Sequence, residues 1–120
     1  MNTPIQKQGD LVISSIQATP TDAEMLEWQV ALADRAAAWR SRGAVIDVSA
    51  LDVIDSFTSR TLQSVAGMLK LRGARVAVVG IQPPVAFAMV RLGLRLQGIE
   101  TGLDLEDGLT RLGLSVDLPV

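Results

Sequence analysis

Three short runs of small and β-branched apolar residues set the strongest limit on how this chain folds: Leu11-Val12-Ile13, Ala44-Val45-Ile46-Asp47-Val48 and Arg75-Val76-Ala77-Val78-Val79. The second is apolar at nearly every position instead of alternating, so both faces of that strand need cover, as in parallel sheets, and the third is the next strand. Parallel neighbours cannot be joined by a tight turn and require a crossover, ordinarily a helix. The sequence between the runs supplies one each time. Thr19-Pro20-Thr21-Asp22 stops the first strand and opens a helix, either with Thr21 and Glu24 as a capping box or with Thr19 as cap and Pro20 at the first helical position. Met25, Trp28, Leu32, Ala36 and Trp39 then recur at spacings of three and four, an apolar stripe that Gly43 can end.

A second helix is predicted from about Asp55 to Leu71, with Leu62, Val65, Ala66 and Leu69 inward and Gly73 as its stop. Pro83-Pro84 opens a third, running to about Leu94. Ile99-Glu100-Thr101 is a short last strand, and Asp104 caps a final helix through Leu112. Pro4 to Lys7, followed by Gly9-Asp10, reads as an edge strand or hairpin partner. The expectation is an α/β fold: one domain over 1–120, with a small mixed β-sheet and helices packed mainly on one face, because right-handed crossovers place them there.

Composition narrows the chemistry. The 120 residues include no Cys and no His, which removes disulfide frameworks, thiol nucleophiles, zinc sites of the usual ligands and every imidazole-based triad. No glycines stand in Gly-x-Gly spacing and none precedes Lys, so neither dinucleotide nor P-loop phosphate cradles are present. A net charge of −2 and 3% aromatic residues argue against nucleic acid as a partner. The start of the chain lacks a basic and then apolar leader, and the uncharged stretch Val76 to Val90 is broken by Gly80, Pro83 and Pro84. The expected setting is therefore cytoplasmic, with no membrane span. Charged residues make up 20% of the chain, below the roughly 25% usual in soluble domains, which points to apolar surface covered by a partner. The charge-free Pro83 to Val90 helix is the natural candidate.

Asp47, Asp52 and Asp55 gather around one strand-to-helix connection, an arrangement that hard cations favour, but no loop here would hold the phosphates that usually complete a Mg²⁺ site. Helix capping and loop hydrogen bonds account for them more simply. The most informative stretch is Val53-Ile54-Asp55-Ser56-Phe57-Thr58-Ser59-Arg60. Val53 and Ile54 are expected to pin the loop, Asp55 to accept first-turn amides, and Ser56 to fall at the first or second helical position. The connection follows the carboxyl end of a strand, the edge where α/β sheets usually dock ligands. A phosphoryl group on Ser56 would add about −1.5 to −2 charge, which the helix dipole tolerates and Asp55 opposes.

The block Val45-Ile46-Asp47-Val48-Ser49-Ala50-Leu51-Asp52-Val53-Ile54-Asp55-Ser56-Phe57, with Gly80-Ile81-Gln82-Pro83-Pro84-Val85-Ala86 downstream, resembles the STAS domain family. It is most similar to the RsbS-type subgroup of stressosome proteins. Anti-sigma-factor antagonists of the same family continue the Asp-Ser pair with small residues, where this chain has Phe57-Thr58-Ser59. The resemblance implies a non-enzymatic α/β protein without a cofactor, built into a large oligomer with sensor-bearing STAS paralogues. It further implies that the assembly sequesters a serine/threonine switch kinase of the RsbT type and releases it on phosphorylation. Ser56 would be the phosphoacceptor, a phosphatase would reset it, and Asp55, Ser56, Phe57 and Ser59 would form the partner-binding surface. ATP would belong to the kinase. An anti-sigma-factor antagonist, and a small-ligand sensor using space between the Ser49 to Asp55 loop and the Pro83 helix start, are the alternative readings.

Overall fold

A computed structural model describes residues 4–17, 20–93, 96 and 98–113. The elements run β1 (Ile5–Gln8), β2 (Leu11–Ser15), α1 (Asp22–Ala38), β3 (Gly43–Asp47), α2 (Ser56–Leu71), β4 (Arg75–Val79), α3 (Pro83–Arg91), β5 (Glu100–Gly102) and α4 (Leu105–Leu112). The sheet order is β1-β2-β3-β4-β5, antiparallel between β1 and β2 and parallel thereafter. Each crossover moves one strand further in the same direction, so right-handed connections deliver α1, α2 and α3 to one face.

Side-chain alternation then divides the interior. Val12, Ala44, Ile46, Val48, Val76 and Val78 meet Met25, Trp28 and Leu32 of α1, Leu62, Val65 and Leu69 of α2, and Val85 and Met89 of α3. Ile13, Val45, Ala77 and Val79 point the other way and are covered by Leu105, Leu109 and Leu112 of α4. The strands are thus apolar throughout because both faces are occupied. Helix α4 approaches the sheet through Gly108, where an added Cβ would stand 2.5 Å from Val79 Cγ1.

Local signals resolve the helix ends. Thr21 caps α1 in a reciprocal capping box, its Oγ1 accepting from Glu24 N at 3.1 Å while Thr21 N donates to Glu24 Oε1 at 2.8 Å. The competing cap, Thr19, lies outside the described residues, as does Leu94 at the expected end of α3. Gly43 does not end α1; it begins β3. The reversal is made by Arg40, which takes a left-handed φ of 50°, with Arg40 N donating to Ala37 O and Ser41 N to Ala36 O. Helix α2 closes identically, but with Gly73 in the left-handed position, Gly73 N on Lys70 O and Ala74 N on Leu69 O. Trp28 Nε1, buried under α1, donates to Ser14 Oγ, which donates on to Pro4 O. No helix among the described residues is long and apolar enough to cross a membrane.

Candidate functional site

The connection from β3 to α2 emerges at the carboxyl end of the parallel strands. Asp47 Oδ1 accepts from Ser49 N at 2.8 Å, and Leu51 N donates to Val48 O, which folds the first half of the loop back on the strand. Fully buried Leu51 and partly buried Ile54 anchor it against the core. Val53, expected to share that task, is 57% exposed instead. The anchoring residue that the sequence reading passed over is Leu51, flanked by exposed Ala50 and Asp52 and so without periodic neighbours.

Asp55 has extended backbone and caps α2, its Oδ1 accepting from Thr58 N at 2.7 Å. Ser56 follows as the first helical residue and is exposed, with Phe57 leaning partly into the core beside it. One turn's rotation then carries the next hydroxyls inward: Thr58 is 3% exposed and Ser59 1%. Ser59 Oγ has no hydrogen-bond partner. Of the residues expected to form a docking surface, Asp55, Ser56 and Phe57 are therefore together at the tip, whereas Ser59 points beneath it. Ser59 stands one turn deeper into α2 than Ser56, where it packs inward with Leu62 and Ala66.

The neighbouring β4–α3 connection packs directly on this loop. Gln82 Nε2 donates to Ser49 O at 2.6 Å. Gly80, at φ 77°, lies so close that a Cβ there would fall 2.7 Å from Ser49 Cβ. The Ser49 loop and the start of α3 are thus in direct contact through Ser49, Gly80 and Gln82. Asp47 accepts within the loop and Asp55 caps the helix, Asp52 is exposed, and no group of three or more His, Cys, Asp or Glu placed to hold a metal occurs among the described residues. Beyond the loop, α3 buries Val85 and Met89 and leaves Phe87 66% and Val90 77% exposed, with the Arg91 guanidinium 5.5 Å from the Phe87 ring centre.

A five-stranded mixed sheet with this crossover order and a capped serine at the β3–α2 junction defines a class that sequence comparison identifies. The STAS domain profile matches residues 2–107, and the chain belongs to that family. Among solved structures it is similar to a Ser-to-Glu variant of RsbS from Moorella thermoacetica, with TM-score 0.84 and 32% identity over 94% of this chain and 96% of that one. It is also similar to a chain of the stressosome, a signal integration and transduction hub, with TM-score 0.78 and 32% identity over 92% and 96% of the two chains. Of characterised sequences it is similar to the RsbT co-antagonist protein RsbRA of Bacillus subtilis, 29% identical over 78 residues that make up 28% of that protein's length.

Proposed function

We propose that this chain is a non-enzymatic stressosome scaffold and kinase-sequestering antagonist, switched by phosphorylation of Ser56. The observation that carries the reading is the contrast along one helical turn: Ser56 is exposed at the first position of α2, while Thr58 and Ser59 are buried. A kinase acting on this turn therefore reaches Ser56 without unfolding the helix. Asp55 holds the turn in place through Thr58 N, so the acceptor is presented on a rigid support. The similarity to RsbS over nearly the full length of both chains supports the same reading.

In the unmodified state Asp55, Ser56 and Phe57 form part of the surface that holds a serine/threonine switch kinase. Phosphorylation places a dianion in that interface, and burying it unmatched costs several kcal/mol. The kinase is released, and a phosphatase restores the hydroxyl. Residues 1–120 act as one domain that assembles in the cytoplasm with sensor-bearing STAS paralogues into a large oligomer. Exposed Phe87 and Val90 on α3 supply apolar surface for such contacts.

Purified protein, a serine/threonine switch kinase of the RsbT type and ATP provide the test. Phosphate mapped to Ser56, together with binding weakened by about 100-fold or more, is expected. Phosphorylation at another residue, or at Ser56 with binding unchanged, refutes the mechanism.

A further inference from the structure

At the opposite pole of the sheet, where α1 and α2 end, a cavity of about 270 Å³ is lined by Arg40, Ser41, Arg42 and Arg72, with Leu69 and Ala74 among its apolar walls. No carboxylate lines it. Basic residues near helix C-termini ordinarily complement the exposed carbonyls of the last turn. Here two of those carbonyls on each helix are already engaged, Ala36 O and Ala37 O by the amides of Ser41 and Arg40, and Leu69 O and Lys70 O by those of Ala74 and Gly73. Among the described residues none of the three guanidinium groups makes a salt bridge or a side-chain hydrogen bond. The Ser41 hydroxyl is buried in the same place and has no partner either. A buried hydroxyl without a partner is a standing cost that an acceptor in the cavity would remove.

Arg40 adds a second line of argument. It occupies the left-handed position of a helix-ending motif whose counterpart on α2 uses Gly73. Glycine is the favoured residue there, and arginine is retained at a backbone cost. What arginine supplies and glycine cannot is a cationic side chain at a residue that lines the cavity.

We infer that this cavity is a binding site for a phosphate-class oxyanion, held by the three guanidinium groups with the Ser41 hydroxyl donating to one of its oxygens. Guanidinium forks match the geometry of phosphate oxygens and can donate to two of them at once. The cavity admits a phosphate group with room for a small attached moiety, and it does not depend on the role assigned to Ser56.

The test is a titration of the full chain with orthophosphate at constant ionic strength, followed by amide NMR shifts of residues 40–42 and 72–74. Acetate serves as the carboxylate control and a nucleoside monophosphate as the metabolite arm. Saturable shifts with orthophosphate or the nucleotide, absent with acetate, are expected; the tighter of the two identifies free phosphate or a phosphorylated metabolite as the source. Arg40→Gly adopts the residue that Gly73 uses in the same motif, so it should fold at least as stably as the parent and bind about tenfold more weakly or worse. Arg72→Gln should weaken binding similarly, and Ser41→Ala by a smaller factor. Non-saturating shifts, equal binding of acetate, or undiminished binding by Arg40→Gly and Arg72→Gln overturns the assignment.

Discussion

Three hydroxyls within one turn of α2 allow one chemical change to be placed in two environments. Ser56→Asp puts a carboxylate on an exposed first-turn position, where the helix dipole contributes about 0.3–1 kcal/mol favourably and repulsion from Asp55 offsets it. The expected change in unfolding free energy is within about 1 kcal/mol. Ser59→Asp puts the same group at a position 1% exposed, next to no hydrogen-bond donor, since the native Oγ has none. An uncompensated buried charge costs about 3–5 kcal/mol, a large part of the roughly 5–15 kcal/mol that holds a domain folded. With a urea m-value of about 1.5 kcal/mol/M, a 3 kcal/mol loss lowers the midpoint by about 2 M. Thr58→Asp, at 3% exposure, should behave like Ser59→Asp. Urea unfolding followed by far-UV circular dichroism measures all three. A Ser59→Asp midpoint within about 0.5 M of the parent would show that the inner face of this turn is open to charge, and the argument that singles out Ser56 would fail.

Other consequences of the packing are equally specific. Gly108→Ala, which in an open helix gains about 0.5–1 kcal/mol of propensity, should instead destabilise by about 1–3 kcal/mol, because its Cβ meets Val79 Cγ1 at 2.5 Å; the sign of the midpoint shift decides. Asp55→Ala removes the cap to Thr58 N and should cost about 1 kcal/mol, whereas Asp55→Asn keeps an acceptor there and should cost less than half of that in the same urea assay. The backbone N–H of Thr21 holds the Glu24 carboxyl below its ordinary 4.5, and that of Leu103, aided by Arg111, holds Asp107 below its ordinary 3.8. Because both folded values are depressed, the stabilisation is complete above the ordinary values and disappears as pH falls through the folded ones. Thermal unfolding of Glu24→Gln against the parent should therefore differ at pH 7 and converge well below pH 4.5.

Strand identity, helix order and the Asp55 cap were legible because each rests on local chemistry: unbroken apolar runs, three-and-four spacing, and a carboxylate before a helical turn. The resemblance of the Asp-Ser-Phe block to the STAS family was legible for the same reason. What escaped was set by depth within the helix and by distance along the chain. Ser59 reads as a surface residue beside Ser56, yet it stands one turn deeper on nearly the same face of α2, where Leu62 and the core cover it. Arg40 reads as an ordinary helical residue, because a left-handed terminus is normally signalled by glycine and Gly43 stood close by. The hydrogen bond from Gln82 to Ser49 joins residues 33 apart, which no local pattern reports.

If Ser56 is the proposed switch, where it sits within a partner's footprint determines whether its phosphorylation releases that partner. The surrounding pole already carries Asp47, Asp52 and Asp55, so a partner that docks there meets negative surface and must offer cations or neutral donors. At the rim of such an interface, hydrated phosphate would gain Coulomb attraction to those cations and change mainly the association rate. At the centre, the dianion must shed its water, and desolvation of several kcal/mol outweighs attraction unless every oxygen is matched. Release therefore requires Ser56 to be covered in the complex. The two cases respond differently to salt, because screening acts on exposed charges and little on buried ones. If desolvation drives release, the ratio of affinities between the unmodified and phosphorylated protein, measured by calorimetry from about 0.05 to 0.5 M salt, stays nearly constant. A ratio that collapses toward unity as salt rises would instead assign the difference to screened interactions between hydrated charges, refute release by desolvation, and place Ser56 at the rim.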